Sequence, residues 1–121
     1  MRPHEKLDLW KKSVDLSVAI YKITEQFPRE ERFGLVSQIR RASVSIAANV
    51  AEGAARRTSK EFLNFLSIAQ GSASELETEL LIARRLEFLS SEDYATLVDQ
   101  IDEIARMVTG LSIYLRTKLD M

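Results

Sequence analysis

"TSKEFLNFLSIAQGSASELETELLIARR", Thr58 to Arg85, carries its apolar residues at intervals of three and four. Wound at 3.6 residues per turn, Phe62, Phe65, Leu66, Ala69, Ala73, Leu76, Leu80 and Ala83 fall on one stripe. Thr58-Ser59-Lys60-Glu61 fits a capping box, with Thr58 as the cap and Glu61 reaching back to it. The spacing predicts a helix over 58–88. Gly71 lies inside it and weakens it by about 1 kcal/mol relative to Ala; close approach of a neighbouring helix is the expected reason. Arg84 and Arg85 fall in the last turns, where cations suit the helix dipole.

The flanking segments repeat this period. Upstream, residues 8–26 carry two adjacent apolar lines. One holds Trp10, Val14 and Tyr21, with Val18 beside it; the other holds Leu9, Leu16, Ile20 and Ile23. Together they predict a wide buried face, ended at Phe27-Pro28 because proline cannot continue a helix. A second helix is predicted over 30–52, with Glu30 and Glu31 at its positive end. Val36, Ile39, Ser43, Ile46 and Val50 line one of its faces. Val44, Ala47, Ala48 and Ala51 cover much of the rest, the mark of a helix packed on more than one side and a hint of a subunit contact. Downstream, Ser90 or Ser91 caps a fourth helix over 92–118, with Glu92 and Asp93 in its first turn. Its stripe runs from Tyr94 through Leu97, Ile101, Ile104, Val108 and Leu111 to Leu115. Four amphipathic helices with short connections predict an all-α, up-down-up-down antiparallel four-helix bundle filling residues 1–121 as a single domain. No sustained alternation of a strand competes with this reading.

Composition narrows the chemistry. The 121 residues are 29% charged and contain no cysteine, so neither a disulfide framework nor a thiolate metal site is available. No apolar run approaches the length of a membrane span, and the opening "MRPHEKLDLW" has no apolar leader core. A soluble cytoplasmic protein with no membrane partner is expected. The single histidine, His4, is read as part of a poorly ordered chain end. One histidine excludes a di-iron bundle site, which needs two Glu-x-x-His motifs. It equally leaves a Ser-His-Asp triad, or an arginine-rich motif closing on a histidine, without its base. Glu75 and Glu79 share a helix face, but two carboxylates are too few for a metal site and read as structural. "AEGAAR" and "AQGSAS" lack the spacing and the lysine of a phosphate loop. The expectation is no enzyme, no catalytic residue, no metal and no cofactor.

Charge is distributed unevenly. The net charge of −1 divides into +1 over residues 1–28, +4 over 29–60 and −6 over 61–121. Arg40, Arg41, Arg56, Arg57 and Lys60 supply most of the basic excess. Arginine forks suit phosphate oxygens, and the start of the third helix adds free backbone N–H groups. These five residues are the candidate nucleic-acid-binding set, for RNA or DNA. The alternative is that the same arginines pair with Glu75, Glu77, Glu79 or a neighbouring subunit, in a protein-interaction scaffold. Asn49, Glu52, Gly53, Thr58 and Glu61 are read as builders of the junction between the second and third helices. Gly53 is expected in the left-handed geometry of a helix end. Asn49 and Glu52 are expected to pair with Arg56 or Arg57.

The segments "LWKKSVDL", "FGLVSQIRRASVSIAANVAEG", "RRTSKEFLNFLSIAQGSASELETEL" and "ARRLEFL" together resemble the 23S rRNA-intervening sequence proteins, from about Leu7 to Leu115. Gln38, Arg40, Arg41, Ser45, Asn49, Glu52, Gly53, Arg57, Glu61, Gly71, Ser74, Glu75 and Glu77 stand where that family's pattern has them. Ala47 departs from it; many relatives carry proline there, and a straighter second helix is expected here. The resemblance implies a four-helix bundle of poorly defined role, with no catalytic residues to carry over. A similar fold is that of the accessory variability determinant of diversity-generating retroelements, a homopentamer that binds nucleic acid and a reverse transcriptase. The resemblance therefore implies a ring-shaped homo-oligomer, a pentamer by that analogy.

Overall fold

The computed structural model describes residues 1–119. Four helices account for most of them: α1 (Asp8–Thr24), α2 (Leu35–Ala54), α3 (Ser59–Arg85) and α4 (Ser91–Leu119). Each packs on its neighbours in the cycle α1–α2–α3–α4–α1, and among the described residues no diagonal pair of helices brings Cα atoms within 8 Å. This is the expected up-down-up-down four-helix bundle, and no strand occurs among the described residues.

The core is the set of apolar lines read from the sequence. Leu16, Ile20, Ile39, Ile46, Leu66, Leu76, Leu80, Leu97 and Ile104 are almost wholly buried. One line behaves differently. On α1 only Leu9, Leu16 and Ile20 are buried among the apolar residues; Trp10 and Val14 are half-buried, and Val18 and Tyr21 are exposed. A helix at the corner of a four-helix cycle meets only two neighbours, so it buries one stripe and leaves the next at the surface. That second line meets Val44, Ala47, Ala48 and Ala51 of α2 in an open apolar groove of about 560 Å³.

The ends of α2 differ from expectation. Residues 29–31 form a separate 3-10 turn capped by Pro28, and α2 begins at Leu35 rather than Glu30. Gly34, at φ −110° and ψ −108°, interrupts the helical path. Glu31 still serves the helix start, because its Oε1 accepts the Leu35 N–H at 3.4 Å. At the other end α2 runs through Gly53 to Ala54, and no glycine among the described residues has positive φ. The left-handed cap geometry is instead at Glu87, φ 65°, in the α3–α4 turn, so α3 stops at Arg85 and not at 88. In that turn Phe88 packs on Phe27, ring centroids 5.9 Å apart. α1 ends two residues earlier than expected, at Thr24. α2 is unbroken through Ala47, where no proline removes a helical hydrogen bond.

The caps follow the sequence more closely. Thr58 Oγ1 accepts the Glu61 N–H at 3.1 Å, and Ser90 Oγ accepts the Asp93 N–H at 3.0 Å. Among the described residues the return bond from the Glu61 carboxylate is not made, so the box is half closed. Thr58→Ala is expected to lower stability by about 1 kcal/mol, read as a shift in the urea midpoint, with Thr58→Ser close to wild type. His4 is not a loose end. It lies in a 3-10 turn (Pro3–Lys6) and sets its ring edge-on to Trp10 at 4.7 Å.

Candidate nucleic-acid interface

The junction between α2 and α3 is built on Gly53. A Cβ there would lie 2.7 Å from Phe62 Cδ1 and 2.9 Å from Phe65 Cβ. The missing side chain lets the first turns of α3 press onto the end of α2. Phe65, thus seated, carries the Arg56 guanidinium over its ring at 4.7 Å. Arg56, Arg57 and Lys60 are all exposed. Among the described residues the one ion pair is Lys12–Glu103, at 2.8 Å between α1 and α4, so none of the three is neutralised there.

Arg40 and Arg41 are placed elsewhere. By the helical rise of about 1.5 Å per residue, Arg40 lies about 21 Å along α2 from its last residue, Ala54, beyond which Arg56 follows. Arg40 is committed to packing. Its Nε donates to Thr24 Oγ1 at 2.9 Å, its Nη2 to the Tyr21 carbonyl at 3.2 Å, and its guanidinium lies 4.5 Å over the Tyr21 ring. It satisfies the C-terminal turn of α1, whose last carbonyls lack intrahelical partners. Arg41, one position on, is exposed beside a polar cleft between α2 and α3. The five cations therefore do not form one patch. Three gather at the junction, one is a strut between α1 and α2, and one borders the cleft.

The polar residues of the junction pair differently from expectation. Asn49 does not reach Arg56 or Arg57. Its Nδ2 donates to the Ser45 carbonyl at 2.8 Å and to Ser45 Oγ at 3.0 Å. Ser45 Oγ in turn shares a 2.8 Å hydrogen bond with Ser72 Oγ of α3. The result is a hydrogen-bonded tie between α2 and α3 where small side chains let the helices come close. Glu52 is exposed and joins no ion pair among the described residues. Gly71 likewise has a different setting from the expected one: a Cβ there would meet nothing within 4 Å.

The cleft is lined by Gln38, Arg41, Ala42, Ser45, Ser72 and Glu75, and one turn beyond Glu75 the Glu79 side chain is buried. Its Oε1 has no hydrogen-bond partner among the described residues. Burial first, and then the neighbouring Glu75 carboxylate, push the Glu79 carboxyl up to about 7. Among the described residues no group of three or more His, Cys, Asp or Glu side chains is placed to hold a metal ion. None of the four helices is long and apolar enough to cross a membrane.

Beyond the cyclic packing of its helices, the bundle is marked by the Gly53 seat and the Asn49–Ser45–Ser72 tie. The family description "23S rRNA-intervening sequence protein" matches residues 5–110, most of the chain. The chain belongs to that family. Among solved structures it is similar to a protein of unknown function from the S23 ribosomal protein family of Bacteroides thetaiotaomicron. Identity is 28%, the match covers 86% of this chain and 97% of the other, and the TM-score is 0.78. The comparison with curated proteins gave no match. Membership of the 23S rRNA-intervening sequence family fixes the fold and assigns no activity.

Sequence reasoning missed three arginine-related features of this family member. It did not assign Arg40 to the end of α1, because a tertiary hydrogen bond leaves no mark on local spacing. It also passed over Arg29 and Arg32, which line a pocket with Arg40 at the α1–α2 connection. Finally, Phe33 opens the segment "FGLVSQIRR" with no periodicity to mark it as exposed, yet its side chain stands in solvent beside Arg32. The signal available was the run "PREERF", which reads equally well as the start of a helix.

Proposed function

We propose that this chain is a non-enzymatic, cytoplasmic, homo-oligomeric bundle that binds RNA or DNA phosphates at the α2–α3 junction. The observation that carries the reading is the group Arg56, Arg57 and Lys60: exposed, without an ion pair among the described residues, and close together in the chain at a junction where Arg56 lies over the Phe65 ring. Exposed cations grouped at one corner contact phosphates by charge, and such contacts need no base sequence. Arg41 offers a further exposed cation beside the cleft, while Arg40 acts in holding α1 to α2. The non-enzymatic part is supported by spacing. Glu79 is some 30 Å along α3 from the bundle end that carries His4, the only imidazole.

Assembly is supported by the groove of α1 and α2. Its walls hold Trp10, Val14, Val18 and Tyr21 opposite small residues of α2, a surface suited to a helix of a second copy. A ring of five is the arrangement proposed. A second reading, the interaction scaffold, draws on the same groove: the junction arginines then pair with acidic residues of the neighbouring subunit.

Fluorescence anisotropy with a labelled, structured RNA tests the first reading. Binding is expected at low salt, weakening steadily as salt rises. Absence of binding at low salt, or affinity indifferent to salt, contradicts it. Light scattering on the Arg56→Ala/Arg57→Ala variant separates the two readings. An unchanged mass with weaker RNA binding favours the nucleic-acid role, and loss of assembly with unchanged RNA binding favours the scaffold.

A further inference from the structure

Phe33 is 91% exposed; apart from Met1 at the chain start, the other exposed large apolar side chains among the described residues lie between 37% and 55%. Single exposed apolar residues are common and need no explanation by themselves. The surroundings of this one are unusual. Arg32 sets its guanidinium 5.7 Å from the Phe33 ring centroid. The same arginine lines, with Arg29 and Arg40, a pocket of about 330 Å³ in the elbow between α1 and α2. Glu25 is the one acidic residue on its wall, so the lining is net positive. Arg40 is held there by Thr24 and Tyr21, which use two of its five N–H groups and leave the others oriented. A guanidinium held in place by other bonds is pre-organised for an anion.

We infer that this elbow takes one unpaired nucleotide of a single-stranded nucleic acid, with its phosphate in the arginine pocket and its base stacked on Phe33. An exposed aromatic face next to a basic pocket is the arrangement by which proteins hold splayed-out bases. A base inside a duplex is already stacked and does not reach the ring. An apolar protein partner suits the site less well, because the ring has the Arg32 guanidinium beside it and follows the charged run Arg29-Glu30-Glu31-Arg32 in the chain. The choice of ligand class rests on the nucleic-acid reading above, but the site is separate. It lies at the opposite end of α2 from Arg56, Arg57 and Lys60.

The test is anisotropy at low salt with a labelled 12-nucleotide unstructured RNA, its DNA counterpart, and a blunt 12-base-pair RNA duplex (probe lengths of roughly the upper range for one single-strand site). Phe33→Ala is expected to weaken single-strand binding about tenfold, within the span for loss of one stacked base. Duplex affinity is expected to stay within about twofold, and Phe33→Trp to retain single-strand binding. Phe33 is exposed, so neither change threatens the fold. Equal loss on single strand and duplex, or no loss on either, overturns the inference. So does a Phe33→Ala protein whose mass changes while its single-strand affinity does not, since the ring is then a subunit contact. Should the wild-type chain bind none of the three probes, the function proposed above falls with it. Should Arg56→Ala/Arg57→Ala weaken binding while Phe33→Ala does not, only the inference about the elbow falls.

Discussion

Replacing Gly53 by alanine is expected to destabilise the bundle by about 2 kcal/mol, although alanine is the better helix former. The added Cβ falls 2.7 Å from Phe62 Cδ1 and 2.9 Å from Phe65 Cβ. The Phe62 ring can turn aside. Phe65 Cβ cannot, because it is bonded directly to the α3 backbone, so the two helices must separate. Separation loosens the contact that seats Phe65 under Arg56 and strains the Ser45–Ser72 bond further along. Gly71→Ala is the control. It sits on the exposed side of α3 with nothing within 4 Å of a Cβ. It is expected to raise stability by about 1 kcal/mol through helix propensity alone. Urea unfolding of both variants checks the pair: opposite shifts of the midpoint support close packing at Gly53, and equal shifts would show that Gly53 is not a contact point.

Stability is also expected to fall as pH rises from about 4.5 to about 7, with Glu79 as a principal cause. Its carboxyl is raised from the ordinary 4.5 to about 7, by burial first and by Glu75 second. Between those values the folded chain holds a proton that the unfolded chain has released. Stability from this group is therefore complete below about 4.5 and is lost as pH rises through about 7. The difference amounts to about 1–3 kcal/mol, allowing for relaxation and water entry around the carboxylate. Glu79→Gln removes the titration. It is expected to be more stable than wild type at pH 8 by about that amount, and close to it near pH 4.5. Thermal unfolding across pH 4.5 to 8 checks both statements. A wild-type and variant pair that run parallel over the whole range would place the proton elsewhere.

The helices were legible because each buries one stripe, and a stripe leaves a 3.6-residue period in the sequence. That is why the core lines of α3 and α4, and the caps Thr58 and Ser90, stand where the spacing puts them. What the period does not carry is the identity of the neighbour. Two apolar lines on α1 read as one wide buried face, but a corner position in the cycle covers only the Leu9–Leu16–Ile20 line. A glycine near a helix end reads as a left-handed cap; at Gly53 the requirement is close approach, and the left-handed residue is Glu87. Proline and two glutamates read as a helix start, while Gly34 delays α2 to Leu35. The candidate site suffered most from this limit. Clustering in sequence gathered five cations, but α2 places Arg40 and Arg56 at opposite ends, and a long-range hydrogen bond gives Arg40 another task. Only Arg56, Arg57 and Lys60, exposed and close along the chain, remain candidates for one surface.

That surface is tested most directly by the salt dependence of RNA affinity for the wild-type chain and the Arg56→Ala/Arg57→Ala variant. If both arginines bind phosphates, the plot of log affinity against log salt becomes shallower by roughly 1.4 to 1.8, at about 0.7 to 0.9 for each phosphate that the variant no longer neutralises. An unchanged slope, with the variant folded and of wild-type mass, would contradict phosphate binding at the α2–α3 junction.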